Sequence, residues 1–287
     1  MPPVTAAMVK ELRERTQAPM MECKSALDAS QGDMDGAIKV LRERGIAKMA
    51  KRADRDTFEG VVRVAVGAGN RGGAAVLVSC ETDFSARNDK FQALAQAALD
   101  AAMASDAASA SPEAVLACCG GKVKALLDDV ANTIRENMAI RRVVRTEGIS
   151  GAYQHFDNKS CGIVEVAAEG DVGSEAFAKV LRELCMHIVA ATPAPLAVDA
   201  AGIPEKDLAT EREICIKQAL ESGKPQAIAE KMVGGRLQKF VAERALLEQE
   251  CVLDPDQKVG AWLSAQAKSV GVTNVRVLRF SRIRIGE

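Results

Sequence analysis

The chain has 287 residues, of which 48% are apolar, long enough for a sizeable core and about two domains. Its 38 basic and 39 acidic side chains nearly cancel, so no global field recruits nucleic acid or a membrane. Aromatics make up only 3% of the chain, too few for the stacking platforms of single-strand binders, and no apolar run reaches the roughly 20 residues of a membrane helix.

The start, Met1-Pro2-Pro3-Val4-Thr5, shows neither a basic-then-apolar secretory signal nor an Arg-rich transit peptide, which points to the cytoplasm or to a mature organellar protein. Residues 1–45 read as three short helices. Thr5 caps the first, whose apolar face is Met8, Val9 and Leu12. Pro19 suits the first turn of the second, which runs through Met20, Met21, Cys23, Ala26 and Leu27. Asp33 caps the third, with Ala37, Ile38 and Leu41 inside and Gly45 as its stop. With the linker, residues 1–55 form a thin-cored bundle similar to a ubiquitin-associated module, an interaction unit more often than an enzyme. Residues 42–55 hold six basic and two acidic side chains. A nucleic-acid contact and a solvated linker both fit, and the lack of interleaved aromatics favours the linker.

From residue 58 the period changes. Gly60–Val66 alternates as a strand, and Ala74–Cys80 reads as a second, buried one. Between them, Gly67-Ala68-Gly69-Asn70-Arg71-Gly72 matches G-x-G-x-x-G formally. A dinucleotide site needs that turn to open a helix. Here it opens a strand, so the glycines mark a hairpin. The second strand ends in Ser79-Cys80-Glu81-Thr82-Asp83-Phe84, which parks an aromatic beside an acid at the strand's exit. Two readings stand: Phe84 folds back as a core plug, or it protrudes as a wedge for a partner's pocket, with Asp83 as an adjoining charge.

Helical spacing follows in Phe91, Leu94, Ala95, Ala98 and Leu99, and again in Val123, Leu127, Val130, Ile134 and Met138, joined through Ala104–Ser111 and Pro112. Arg141–Glu147 returns to strand character. The pattern then repeats: two candidate strands in residues 150–168 around a loop at 156–160, a helix at about 175–191 with Phe177, Leu181, Leu184, Cys185 and Ile188, a helix near 258–269, and a strand at 274–284. The division is a first core half (56–148), a second half (149–204 and 250–287) and an inserted, highly charged hairpin (205–249). Its helices, 205–222 and 226–249, turn at Ser222-Gly223-Lys224-Pro225, with Ile214, Cys215 and Leu220 facing Ile228, Met232, Val233 and Leu237. The expected fold is α+β: a three-helix bundle, then two related α+β halves with antiparallel sheets and a projecting antiparallel helical hairpin.

Eight cysteines occur, none as Cys-x-x-Cys, and most read as buried free thiols of a reducing compartment. Cys118-Cys119 is open to oxidation, with nothing beside it that marks a redox site. Two histidines, His155 and His187, are too few for a His-based metal site. No catalytic constellation is visible, so an enzyme ranks last, and no cofactor is expected.

Four segments together resemble the elongation factor Ts family. They are Val9–Thr16 with Met20-Met21-Glu22-Cys23-Lys24 and Ala26-Leu27; Thr82-Asp83-Phe84; Tyr153-Gln154-His155; and Ser222–Pro225 followed by Ile228-Ala229-Glu230-Lys231-Met232-Val233 and Gly235-Arg236. The resemblance spans nearly the whole chain. It implies a guanine-nucleotide exchange factor that binds elongation factor Tu, both GDP-bound and nucleotide-free, with no direct nucleic-acid or membrane partner. It turns Phe84 into a wedge near the partner's Mg²⁺ site, with Thr82, Asp83 and Ser85 around it. Arg13, Met20 and Met21 become contacts of the bundle, and His155 a contact of the second half. A homodimer or a two-by-two complex stays open, as does the hairpin's role. Departures from the family pattern are Gln17, Pro19, Ser85 in place of a common Val, added residues between His155 and Gly162, and an end at Glu287 without the further helix of some members. The rival readings are a scaffold or ubiquitin-associated-like binding module without exchange activity, and RNA binding through 42–55 and Arg276, Arg279, Arg282 and Arg284.

Overall fold

The computed structural model describes residues 4–16, 18–50, 52, 54–221 and 226–287. Gln17 and the hairpin turn 222–225 lie outside the described residues, as do the side chains of Leu220, Ile228 and Met232.

Helices α1 (Ala6–Thr16), α2 (Met20–Ala29) and α3 (Met34–Ala50) form the N-terminal bundle. Both polar caps form: Met8 N–H donates to Thr5 Oγ1 at 3.3 Å and Gly36 N–H to Asp33 Oδ2 at 2.7 Å. Val9, Leu12, Cys23, Ala26, Leu27 and Ala37 make the small core. Two boundaries differ from the sequence reading. Pro19 is not in the first turn of α2 but is its extended N-cap (φ −58°, ψ 143°), a conformation its ring also permits. Gly45 does not end α3, which continues to Ala50. The glycine instead lies against a later helix: a Cβ at 45 would come within 2.6 Å of Asn132 Nδ2, so a larger residue there would have to displace that side chain.

The strands are β1 (Glu59–Val66), β2 (Arg71–Cys80), β3 (Ala139–Gln154), β4 (Ser160–Gly170), β5 (Glu250–Cys251), β6 (Asp254–Lys258) and β7 (Val272–Arg284). Five of them pair antiparallel in the order β1-β2-β3-β4-β7, and β5-β6 form a separate small hairpin. The sequence reading split residues 141–168 into three strands. The first two are in fact one: β3 runs unbroken through Gly148 and is shared by both halves. Its first part pairs with β2 as far as Ile149, and from Ile149 it pairs with β4. Polar contacts carry it through the bend: Ser150 Oγ donates to Thr146 Oγ1 at 2.8 Å, and Gly148 N–H to Glu165 Oε1 at 2.6 Å.

Because β3 bends, the two wings of the sheet fold onto each other. Alternate residues of β2 serve different cores, as the period of two requires. Ala74, Val76, Val78 and Cys80 face one helical layer, while Ala75 and Leu77 meet Cys161, Ile163 and Ile283 of the other wing. Both faces of β2 are therefore covered, which explains its unbroken apolar run.

Helices α4 (Asp83–Ala86), α5 (Asp89–Ala104) and α6 (Pro112–Ile134) follow β2, and the latter two cover the first wing. Helix α6 is broken at Cys118–Gly121, where the backbone leaves helical φ/ψ. It ends at Arg135 with a left-handed φ of 69°, so Met138, expected on its stripe, is buried from the following loop instead. Helix α7 (Glu175–Ala190) covers the second wing. Gly151 permits its close approach, since a Cβ there would lie 2.3 Å from Leu181 Cβ.

Helices α8 (Glu205–Glu221) and α9 (Gln226–Arg244) form the inserted hairpin, and α10 (Val259–Ser269) completes the second layer beside α7. The seam of the hairpin differs in detail from the sequence reading. Cys215, Ala219 and Val233 are buried in it, Ile214 faces solvent, and Arg236 hydrogen-bonds Gln218 across the pair. Helix α9 stops at Arg244 rather than 249, because Ala245 and Leu246 turn into the core, where Leu246 N–H donates to Ala197 O at 2.8 Å.

Candidate functional site

Strand β2 delivers the chain to a corner at Glu81–Ser85. Thr82 takes an extended conformation and its Oγ1 accepts from Ser85 N–H at 3.2 Å, which starts the single turn α4. That turn has a fixed phase, since successive helical side chains diverge by about 100°. Ser85 and Ala86 point inward and are buried, and Phe84 points out with 80% of its surface exposed. The plug reading of Phe84 is thereby excluded.

The corner is clasped from a distant segment. Glu136 Oε2 accepts from the N–H groups of Glu81 (3.0 Å) and Thr82 (3.1 Å), and its Oε1 accepts from Thr82 Oγ1 at 2.7 Å. In return, Glu81 Oε1 accepts from Asn137 N–H at 2.6 Å and from Arg55 at 3.3 Å. Hydrogen bonds to a carboxylate are among the stronger ones, so the exposed aromatic stands on a fixed base. Beneath it, Cys80 Sγ donates to Thr82 O at 3.2 Å. Burial, reinforced by the charge of Glu136, pushes the Cys80 thiol up to about 12, so it remains a protonated donor. Asp83 pairs with Arg87 at 3.0 Å in the open, where such pairs contribute little.

The β3–β4 turn lies on the same side. Asn158, at a left-handed φ of 58°, accepts through its carbonyl from Val62 N–H of β1 at 2.8 Å. Lys159 bonds Glu59 at 2.8 Å; that bond, then the charges of Glu59, Asp83 and Asp157, raise its pKa. Lys159 thus sits in the field of Asp83. His155 is half-buried, its Nδ1 3.1 Å from the Tyr153 hydroxyl and its ring 4.4 Å from that of Phe156. Phe156 is 87% exposed. His155 also lines a cleft of about 500 Å³ with Tyr153, Met186, Val189, Val252 and Leu253.

On the bundle, Arg13 is exposed on α1, and Met20 and Met21 are 53% and 73% exposed at the start of α2. Among the described residues no hydrogen bond or ion pair links these three to the corner. The bundle reaches α6 through Arg135–Glu22 at 3.9 Å, next to Glu136 in sequence, and through Arg52 to Ala131 O at 3.4 Å.

Sequence reasoning missed Glu136, Asn137, Phe156 and the Val252-Leu253 tip. The clasp left no local signal, because its partners lie 54 to 56 residues apart. Phe156 had one, an aromatic within a turn between two strands. Of the Arg-rich end, Arg279 is held by Glu165 at 2.6 Å and Arg282 by Glu287 at 3.4 Å, leaving less of it for a polyanion. Among the described residues, no three His, Cys, Asp or Glu side chains gather as a metal site, and no helix is long and apolar enough to cross a membrane.

The family model for elongation factor Ts matches residues 81–287. Proteins named elongation factor Ts are similar over nearly the full chain. That of Maricaulis maris is 39% identical over 99% of this chain and 92% of its own length. That of Sinorhizobium medicae is 40% identical over 99% and 93%, and that of Clostridium botulinum strain Alaska E43 is 39% identical over the same shares.

Proposed function

The chain belongs to the elongation factor Ts family, and from that premise we propose that it is a guanine-nucleotide exchange factor for elongation factor Tu, acting without covalent chemistry in the cytoplasm. The observation that carries the reading is Phe84, an exposed aromatic on a corner fixed by the Glu136 clasp.

A preformed wedge has a physical advantage. Ordering a loop on binding lowers affinity, and the clasp on Glu81 and Thr82 has fixed the backbone that leads into Phe84 before the partner arrives. The partner holds GDP through its phosphates and a Mg²⁺ ion, and Mg²⁺ demands near-ideal octahedral geometry. Insertion of Phe84 beside that ion, with Asp83 disturbing the groups that orient its shell, weakens GDP binding disproportionately. Thr82 and Ser85 set the wedge's angle. Arg13, Met20 and Met21 hold the nucleotide-base side of the same partner domain, and His155 offers a contact from the second half. Linkage is reciprocal: the factor by which this protein weakens GDP is the factor by which GDP weakens this protein, so incoming GTP releases it.

The test is release of a fluorescent GDP from elongation factor Tu in excess unlabelled nucleotide, with and without this protein. Acceleration supports exchange. Binding without acceleration would instead make the chain a scaffold. Deleting residues 1–55 is expected to raise the dissociation constant for the partner, and an unchanged constant would remove the bundle from the interface.

A further inference from the structure

We propose that Cys118 and Cys119 form a vicinal dithiol–disulfide couple, a covalent modification site on the outer helical layer. Six of the eight cysteines are buried; Cys118 is half-buried and Cys119 exposed. Their Sγ atoms lie 3.2 Å apart. Adjacent residues of a continuous helix cannot achieve this, because their side chains diverge by about 100°.

The break in α6 brings them together. Cys118 is extended (φ −56°, ψ 149°), and Cys119, Gly120 and Gly121 are left-handed (φ 55°, 70° and 78°). A left-handed cysteine is uncommon, and two glycines after it let the chain complete the excursion. A Cβ on either glycine would meet nothing within 4 Å, so the segment has room to adjust when a bond forms. Cys118 leans on the first core while its sulfur still meets that of Cys119 at the surface.

Neighbouring Cα atoms are about 3.8 Å apart, whereas relaxed disulfides span about 4.4–6.8 Å. A bridge here is strained, and strained, exposed bridges are the easily reduced ones. The oxidant is a hydroperoxide. Cys119 gives its thiol proton to solvent and the thiolate attacks the terminal oxygen; the O–O bond breaks, and the leaving alkoxide (or hydroxide) takes a proton from solvent and departs as an alcohol (or water), with the sulfenic acid as the other product. The Cys118 sulfur then attacks the Cys119 sulfur, the S–O bond breaks, and the hydroxyl departs as water with the Cys118 proton. Two electrons pass from the thiols to the peroxide, and an external dithiol returns them.

The full chain is reduced, desalted, treated with one equivalent of hydrogen peroxide, alkylated natively and analysed by peptide mass spectrometry. The expected product is one peptide, lighter by two hydrogens, with both thiols lost together and restored by dithiothreitol, in a chain that stays monomeric on a non-reducing gel. Cys118→Ser should instead leave Cys119 as a sulfenic acid trapped by dimedone or as an interchain disulfide. Independent alkylation of the two thiols in oxidised wild type, accumulation of sulfenic acid in it, or its conversion to a covalent dimer would overturn the proposal.

Discussion

Two corners occupy equivalent places in the two halves. The first connects β2 to α5 through residues 81–88, and the second connects β4 to α7 through residues 171–174. The second folds inward. Val172 packs on the second core, and the carbonyls of Val172 and Ser174 accept from Asn70 Nδ2 at 2.9 and 3.2 Å, which docks the β1–β2 turn. The first folds outward, with Phe84 exposed and the backbone of Glu81 and Thr82 tied down by Glu136. One connection holds the fold together, and the other is longer and leaves an aromatic side chain exposed. Architecture alone therefore does not distinguish the two corners; their residues do.

Exchanging the corners' properties gives the sharpest test. Phe84→Ala is expected to slow GDP release by about 30-fold, an interface hot spot of about 2 kcal/mol, while denaturant unfolding moves by less than about 0.5 kcal/mol. Val172→Ala should do the reverse, losing about 1 kcal/mol of stability with exchange intact. Wild-type exchange by the Phe84 variant would end the wedge reading. Glu136→Gln should affect both readouts, because it replaces an acceptor of three hydrogen bonds with a poorer one. A stability loss of about 1.5–3 kcal/mol accompanied by slower exchange is expected. Lost stability with full exchange activity would mean that the clasp does not aim Phe84.

Acid should loosen the second half first. His187 is buried; its Nδ1 accepts from Val252 N–H at 3.2 Å, which places the proton on Nε2, 3.0 Å from Gln249 Oε1. Burial lowers its pKa below the ordinary 6.5, outweighing the opposing bond to Gln249. The folded state thus favours the neutral ring. Its contribution is complete above 6.5 and falls as pH drops toward the folded pKa, by at most about 1.4 kcal/mol per pH unit. Urea midpoints measured across that window should fall less steeply in His187→Gln. Identical slopes would show that His187 carries no linkage. The smallest effect is expected from Asp83→Ala, at most about fivefold on GDP release, because its charge is exposed and already paired with Arg87. A larger loss than that of Phe84→Ala would move the mechanism from wedge to charge.

These comparisons also show what the chain reveals before it is folded. The unbroken apolar run of β2 is legible because both of its faces are covered, and the caps Thr5 and Asp33 are legible because their chemistry is local. The continuity of β3 is not, since its glycines look like turn residues until Thr146, Ser150 and Glu165 are seen carrying the strand through its bend. Gly45 reads as a stop until Asn132 is found against it. For Phe84, the residues alone leave plug and wedge open. The phase of α4 excludes the plug, and that phase depends on buried Ser85 and Ala86 and on a carboxylate 54 residues beyond Thr82. The wedge itself is what the resemblance to a known family implies.

The fold-over at Ile149 has a consequence for how the chain is made. The seam between the wings needs Val62, Ala75 and Leu77 early in the sequence, Cys161 and Ile163 in its middle, and Ile283 near its end. At translation rates of about 5–20 residues per second, the last of these emerges on the order of ten seconds after Ile163. During that interval the nascent protein carries an apolar seam that its own closing strand has not yet sealed. A protein of the translation apparatus is then itself exposed, during synthesis, to the aggregation that open strand edges invite.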